Sequence, residues 1–166
     1  MTASGDRRGA AAHVFVSPAE LIGDGPLAPD DDVRHHLARV LRLRDGETVS
    51  VSDGAGCWRL ATGRRSGDQI MLEPTSDVVR DDHPAVPLTI ATAIPKGDRL
   101  DWLVQKTTEL GVDRLQLVET ERSVVRWRPD RTDKQLSRLQ RISDEAARQS
   151  RRTRLVEVLA PVPALK

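Results

Sequence analysis

The sequence has little of several residue types, and each shortage excludes a class of protein. It has one cysteine, Cys57, which excludes an internal disulfide and a zinc site built from cysteines. No apolar run approaches the roughly 18 residues needed to cross a bilayer, and the N-terminus carries no apolar signal segment. We therefore expect a cytoplasmic protein with no membrane partner. His35 and His36 have no metal-type neighbours in the sequence, so we expect structural roles for both and no bound metal.

Glycine is scarce where a nucleotide-binding loop would need it. Residues 112–166 contain no glycine, and the turn AIPKGDRL holds only Gly97. Neither the G-x-G-x-x-G fingerprint nor a P-loop can be written on this half of the chain. A dinucleotide-dependent enzyme is therefore disfavoured, and the visible chain does not show where a cofactor would bind.

Charge is nearly balanced overall but unevenly distributed. The net charge is +1, yet residues 122–166 hold 12 Lys/Arg against 5 Asp/Glu, while residues 1–121 hold 14 against 20. A basic C-terminal quarter on a near-neutral chain indicates a local anionic partner, of which nucleic acid is the commonest. The alternative is a solvated arginine-rich surface, which the general excess of arginine over lysine also favours.

The stretch ISDEAARQSRRTRLVEV concentrates this charge where a predicted helix passes into a predicted strand. Its arginines are Arg148, Arg151, Arg152 and Arg154. Like charges in neighbouring turns repel by a few tenths of a kcal/mol per pair. The cluster therefore suggests an anion or a partner surface, against the alternative of a solvated face.

The pattern of the chain predicts four segments. Residues 1–12 are small and polar and predict a disordered N-terminus. Residues 13–79 combine one helix with short alternating strands, which predicts a small antiparallel β-barrel. Residues 80–87 are charged, contain two prolines and predict a linker. Residues 88–166 have a different rhythm.

In the first domain, DDDVRHHLARVLRLRDG predicts one continuous helix. Its apolar stripe consists of Val33, Leu37, Val40 and Leu41. Arg39 and Arg42 lie towards another face of the same helix. RNA contact and simple solvation are equally open for these two arginines.

Residues 88–166 alternate strand, helix, strand, helix and strand, as in a parallel α/β unit. Strands are predicted at residues 88–94, 114–120 and 155–159, and helices at residues 99–110 and 133–150. The first strand does not alternate, which predicts burial on both faces. Three parallel strands with two helices leave sheet edges uncovered, so we expect further polypeptide to complete the fold.

The loops of this unit place its cations at two edges of the sheet. Lys96 follows the first strand, and Arg122 and Arg126 follow the second, so all three belong at the strands' carboxyl ends. Arg151 and Arg152 precede the third strand, which puts the basic helix end at the opposite edge. Phosphate or ribosomal RNA contact is the favoured role for Lys96 and Arg122, with a surface ion pair as the alternative, and Arg126 is a further candidate for RNA contact.

Sparse aromatic residues argue against extensive base stacking. The chain has three tryptophans, one phenylalanine and no tyrosine. Trp58, on an alternating strand, and Trp102, in a helix, are predicted to pack in the core. Trp127, in an arginine-rich turn, is the stacking candidate.

Four motifs in order resemble one protein family. They are HHLARVLRLRDGE; PKG with QK and ELG across the first α/β helix; ERS after the second strand; and EAARQSRRTRLVEV. The family is the RsmE-type 16S ribosomal RNA methyltransferases, which methylate N3 of a uridine with S-adenosylmethionine. Leu155 and Val156 stand where the family usually has a hydrophobic residue and proline, a departure that affects only the local turn.

The resemblance implies a PUA-like RNA-binding barrel for residues 13–79. For residues 88–166 it implies the N-terminal part of a SPOUT methyltransferase domain, whose C-terminus ties a trefoil knot. It implies a homodimer and 16S ribosomal RNA or the small ribosomal subunit as partner. The family's glycine-rich S-adenosylmethionine loop has no counterpart here and is expected beyond Lys166, so no cofactor-binding residue is assigned in this chain.

The chemistry of uridine suggests which residues could act in catalysis. N3 carries a proton at neutral pH, so methylation needs a base or a positive charge that stabilises the anion. Glu121 beside Arg122 could supply one of each, as could Glu145 near Arg148; such neighbours are also common as simple ion pairs. A non-catalytic RNA-binding module remains the alternative to a methyltransferase.

Overall fold

A computed structural model describes residues 6–27, 29–67, 69–82 and 86–164 of the chain. The chain divides into two compact units, Met1–His83 and Pro84–Lys166, which we call unit 1 and unit 2. The division falls inside the segment 80–87 that the sequence predicts as a linker.

Unit 1 is built on a mixed five-stranded sheet with short helices. Its elements are a 3-10 turn Arg7–Gly9, β1 Ala12–Phe15, α1 Pro18–Ile22, α2 Asp31–His35, β2 Thr48–Ser52, β3 Cys57–Ser66, β4 Gln69–Pro74 and β5 Val79–Arg80. The sheet order is β1-β2-β3-β4, and β5 also pairs with β3. Apolar side chains from the strands and from both helices form one buried core.

A small antiparallel β-barrel is the prediction for residues 13–79, and no closed barrel is found among the described residues. The strand order ends at β1 and β4, and no pairing joins these two strands in the part of unit 1 that is described. Closure requires the last strand to pair with the first. Instead β1 runs parallel to β2, and the outer side of β4 is met by Leu27, which bridges to Leu72.

The helix predicted across residues 30–46 is shorter than its apolar stripe suggests. From α2 the chain passes into a single π turn, His36–Val40. Arg42 then takes a left-handed backbone conformation with φ +51°, which no glycine signals in the sequence. The turn directs Leu43 into the core and leaves Val40 and Leu41 exposed.

Residues 6–12, expected to be disordered, are structured. Arg7 pairs with Asp81 at 2.9 Å and lies over the ring of Trp58 at 5.2 Å. β1 begins at Ala12, inside the predicted disordered segment. Contacts with distant parts of unit 1 supply the ordering energy that local composition lacks. The remainder of the predicted segment, residues 1–5, lies outside the described residues.

A buried arginine ties three segments of unit 1 together. Arg59 on β3 is 9% exposed. Its guanidinium donates to the carbonyls of Leu21 at 3.0 Å and Gly23 at 2.9 Å, and its Nε donates to the carbonyl of Ser76 at 3.0 Å. These bonds hold the end of α1 and the segment after β4 against β3, and they satisfy a charge removed from water.

Unit 2 is the parallel α/β unit that the sequence predicts. Its elements are β6 Thr89–Ala93, α3 Arg99–Leu110, β7 Arg114–Glu119, α4 Pro129–Gln149 and β8 Glu157–Pro163. The strand order is β6-β7-β8, with both pairs parallel. Leu115 and Leu117 of the central strand are fully buried and form the core with Val104 and Leu139 of the two helices.

Three details of unit 2 differ from the prediction. β6 is not buried on both faces: its residues alternate between exposed and half-buried, because within residues 86–164 it pairs only with β7. α4 begins at Pro129 rather than at residue 133, since proline at the first helical position needs no donor there. β8 begins two residues later than predicted, at Glu157, and runs through the PVP sequence to Pro163.

The two helices of unit 2 contact each other through polar side chains. Thr108 Oγ1 and Ser143 Oγ lie 3.1 Å apart in a buried hydrogen bond, and Arg138 forms a close ion pair with Asp101. Leu100 and Val104 of α3 are buried. Leu110, at the last position of α3, is 83% exposed.

Gly111 ends α3 in a left-handed conformation with φ +98°. A Cβ at this position would lie 2.6 Å from Nη1 of Arg152, which donates to the carbonyl of Thr108 at 3.2 Å. Gly111→Ala should therefore lower the free energy of unfolding by about 2 kcal/mol, from backbone strain and from displacement of that hydrogen bond. Thermal or urea unfolding of the purified chain measures the change.

Gly97→Ala is the matched control for this prediction. Gly97 is also left-handed, with φ +67°, but a Cβ there would meet nothing within 4 Å. Its substitution should cost only the strain, about 1 kcal/mol. Equal losses of unfolding free energy in the two variants would show that a Cβ at Gly111 does not disturb the hydrogen bond of Arg152.

Candidate nucleic-acid interface

The parallel register of unit 2 brings two cationic loops to one edge of the sheet. Ala93 at the end of β6 pairs with Val118, and Glu119 at the end of β7 pairs with Pro163. Loops 94–98 and 120–128 therefore leave neighbouring strands at the same end. We call the surface formed by these two loops the carboxyl edge.

A closed turn at the start of the second loop displays the two candidate catalytic residues. The Thr120 N–H donates to Ser123 Oγ at 2.8 Å, and the Ser123 N–H donates back to the Thr120 carbonyl at 3.1 Å. Glu121 and Arg122 occupy the two central positions and are both exposed. The turn thus presents one carboxylate and one guanidinium to solvent side by side.

The rest of this loop alternates between anchoring and exposed side chains. Val125 and Trp127 pack against the core of unit 2. Arg126 and Arg128 between and after them are exposed; Arg126 donates to the Thr120 carbonyl at 3.4 Å, and Arg128 pairs with Asp130. The anchors fix an extended segment whose outer face is basic.

Lys96 is exposed on the other loop of the carboxyl edge. The structure therefore brings Lys96, Arg122 and Arg126 to one edge, as the sequence predicts. The residues before β8 lie at the opposite edge, since Glu157 at the start of β8 pairs with Arg114 at the start of β7.

Two arginines of the opposite edge have protein partners: that of Arg148 is the neighbour noted in the sequence, whereas that of Arg152 was not predicted. Arg152 donates to the Thr108 carbonyl at the end of α3, and burial lowers the pKa of its guanidinium, with Asp113 acting against that shift and Arg154 adding to it. Arg148 pairs with Glu145 on its own helix at 3.4 Å.

The convergence of two helix ends explains why positive charge gathers at this edge. α3 and α4 both finish here, at Leu110 and Gln149, where the helix dipoles place partial negative charge. Arg151, with φ +54°, and Arg152 follow α4 directly. Cations at helix C-termini are favourable, so the cluster has a structural use that requires no bound anion.

In unit 1, Arg39 and Arg42 are both exposed. Arg39 lies in the π turn and Arg42 in the left-handed turn that follows. His35 is exposed and His36 half-buried on the same helical segment. Among the described residues, no group of three or more His, Cys, Asp or Glu side chains is placed to hold a metal ion.

Two of the three tryptophans are arranged differently from the prediction. Trp58 is a core residue as predicted, and its Nε1 donates to Asp81 at 2.8 Å. Trp127, the predicted stacking residue, packs partly against the core of unit 2. Trp102, predicted to be buried, is 63% exposed. Its position two residues after the buried Leu100 could have revealed this, because such residues lie on opposite sides of a helix.

The residues described here do not fit S-adenosylmethionine. The carboxyl edge has a single glycine, Gly97, so loops 94–98 and 120–128 do not form the glycine-rich segment that lets a backbone approach a ligand closely. Gly111 lies at the opposite edge, and Arg152 fills the space beside it.

In the described part of the chain, no helix is long and apolar enough to cross a membrane.

Comparison with known families assigns both parts of the chain. A family model described as an RNA methyltransferase domain matches residues 82–166. A second model, described as an RNA methyltransferase PUA domain, matches residues 29–62.

Curated relatives share the order of both parts. The chain is 38% identical over 154 residues to ribosomal RNA small subunit methyltransferase E of Synechocystis sp., an alignment that covers 92% of this chain and 48% of the relative. It is 35% identical to the protein of the same name from Mycobacterium bovis, over 78% of this chain and 49% of the relative. The chain thus spans about half the length of the curated relatives it matches.

Solved structures share the fold. A ribosomal RNA small subunit methyltransferase E from Neisseria gonorrhoeae, bound to S-adenosylmethionine, has a TM-score of 0.78 and 28% identity, covering 92% of this chain and 62% of that one. A putative methyltransferase from Legionella pneumophila, also with bound S-adenosylmethionine, has a TM-score of 0.77 and 25% identity, over 91% and 62%. These matches show that the chain belongs to the RNA methyltransferase domain family, and that it resembles the ribosomal RNA small subunit methyltransferases E.

Proposed function

We propose that this chain is the RNA-facing part of an S-adenosylmethionine-dependent methyltransferase that modifies N3 of a uridine in 16S ribosomal RNA. The exposed cations of the carboxyl edge carry the proposal, because they belong to a chain of the RNA methyltransferase family. We also propose a cytoplasmic homodimer with a SPOUT knot, as the resemblance implies. Its partner would be the small ribosomal subunit or its RNA.

The proposed RNA contacts are of two kinds. Lys96, Arg122 and Arg126 at the carboxyl edge would neutralise phosphates, which makes binding depend on salt concentration. Arg39 and Arg42 would contact RNA from unit 1, whose relatives include an RNA methyltransferase PUA domain. The sequence also predicts RNA contact for Arg148, Arg151 and Arg152. The protein partners of Arg148 and Arg152 favour a structural role for the opposite edge instead.

The turn at residues 120–123 supplies the chemistry that uridine N3 requires. Loss of the N3 proton leaves negative charge on the base, and a fixed guanidinium stabilises such an anion. Arg122 is the proposed electrostatic residue, and Glu121 beside it is the proposed proton acceptor. S-adenosylmethionine would supply the methyl group, and we assign none of the described residues to its binding.

Deleting the coding sequence should remove one N3-methyluridine from the cell's 16S ribosomal RNA. Mass spectrometry of nuclease digests measures this directly, with the other methylated nucleotides of the same RNA as internal controls. Re-expression of the gene should restore the modification. Retention of every N3-methyluridine after deletion would refute the proposed reaction.

A non-catalytic RNA-binding module is the second candidate. The observation that favours it is the combination of a cationic carboxyl edge with no cofactor-fitting residues in the described part of the chain. The same deletion decides between the two, because loss of a binding module alone leaves the methylation of 16S ribosomal RNA intact.

A further inference from the structure

Trp102 is the one tryptophan of the chain whose ring lies mainly in solvent. It is 63% exposed on α3, whereas Trp58 is buried and Trp127 is half-buried. α3 turns its other side inward through Leu100 and Val104. The indole therefore contributes little to the core, in a chain with only four aromatic residues.

The surroundings of Trp102 are cationic and polar. Arg99 lies three residues earlier, which is one helical turn away, and is also exposed. Lys96 is exposed in the loop that leads into α3, at the carboxyl edge. The nearest carboxylates are Asp98, which is exposed, and Asp101, which pairs with Arg138 of α4.

A second set of neighbours argues against an apolar protein partner at this surface. Gln105 and Lys106, three and four residues after Trp102, are both polar. Lys106 forms an ion pair with Glu109 at 2.7 Å. An indole bordered by cations and an amide matches an unpaired nucleobase whose phosphates lie beside it, because the base stacks on the ring while the cations meet the backbone.

We propose that Trp102 stacks on an unpaired base of the RNA, with the adjoining phosphates held by Arg99 and Lys96. The inference rests on the proposed RNA function and adds to it a preference for single-stranded RNA at the first turn of α3. The contact requires the flat face of a base, so a ribose-phosphate chain without bases should not use it.

Two RNA probes and three variants test the proposal on the 166-residue chain. The probes are an oligouridine of about twelve nucleotides and an abasic chain of the same length. Trp102→Ala should weaken oligouridine binding about tenfold and leave abasic binding unchanged. Trp102→Phe, which keeps an aromatic face, should retain most of the affinity. Leu110→Ala is the control, since Leu110 is 83% exposed on the same helix and should have no effect.

Tryptophan fluorescence adds a direct readout. Oligouridine should quench the emission of the unaltered chain, and most of this quenching should disappear in Trp102→Phe although the RNA is still bound. Oligouridine affinity unchanged in Trp102→Ala, or weakened equally with the abasic probe, would overturn the inference while RNA binding itself stands. A shift from dimer to monomer in Trp102→Ala without loss of RNA affinity would overturn it in favour of a second copy. Failure of the unaltered chain to bind either probe in low salt would reject the proposed RNA function together with it.

Discussion

Replacing Arg122 with alanine should lower the rate of methyl transfer about 100-fold in the methyltransferase that contains these residues. Arg122 occupies a central position of the hydrogen-bonded turn at residues 120–123, and its side chain is exposed. We propose that its charge stabilises the uridine anion, which exists only along the reaction path. The rate should therefore fall far more than the affinity for S-adenosylmethionine. Single-turnover measurements at saturating RNA separate the rate from the affinities.

Arg126→Ala is the control for this experiment. Arg126 lies in the same loop and is exposed, but it follows the anchoring residue Val125 and is outside the turn. Its loss should weaken RNA binding and leave the rate at saturation within about threefold of the unaltered enzyme. The catalytic role of Arg122 is excluded if both variants retain the same rate.

Replacing Arg59 with methionine should lower the free energy of unfolding of unit 1 by about 3 kcal/mol. The guanidinium is buried and donates to three carbonyls, those of Leu21, Gly23 and Ser76. Methionine fills a similar volume but leaves these acceptors without a donor, and a hydrogen bond from a charged group contributes about 1.5–3 kcal/mol. Part of this loss of stability is offset, because methionine does not carry the desolvation cost of a buried charge.

Arg64→Met on the same strand provides the comparison. Arg64 is half-exposed and pairs with Glu73 at 2.7 Å. The hydrogen bond to this carboxylate and its negative charge raise the pKa of the Arg64 guanidinium. An exposed ion pair is screened by solvent and contributes little to stability, so this variant should be nearly as stable as the unaltered chain. Thermal unfolding should show a fall of at least 10 °C for Arg59→Met and only a few degrees for Arg64→Met, by an order-of-magnitude conversion for a small domain. Equal shifts in the unfolding temperature would mean that the hydrogen bonds from Arg59 to the three carbonyls contribute no more to stability than the exposed ion pair of Arg64.

Local pattern was enough to predict much of unit 2. Its strands and helices follow from apolar runs, helical spacing and the terminating Gly111, so their order and parallel pairing could be inferred. Because parallel strands share one edge, the grouping of Lys96 with Arg122 also followed. The exposure of β6 could not be predicted, since it depends on which strands lie beside it.

The features that the sequence predicted wrongly depend on contacts between residues far apart along the chain. The left-handed turn at Arg42 has no glycine to mark it, so the sequence pattern predicts a longer helix than the structure has. Arg152 resembles a free cation in the sequence, but in the fold its guanidinium donates to the Thr108 carbonyl at the end of α3. In the loop after β7, Val124 and Val125 are both apolar, yet Val124 is 75% exposed and only Val125 packs with Trp127 against the core, so the sequence pattern does not show which way Trp127 faces.

Salt dependence of RNA binding is the most direct measurement of the central claim, that the cations of the carboxyl edge hold RNA. Filter retention of a single-stranded RNA between about 50 and 200 mM salt gives the slope of log K against log salt. Removing Lys96, Arg122 and Arg126 together should reduce the magnitude of that slope by about 2. A control triple variant at Lys106, Arg114 and Arg138, each ion-paired with a carboxylate, loses the same formal charge and should change the slope by much less. A slope unaffected by the first set, or reduced equally by both, would contradict the claim.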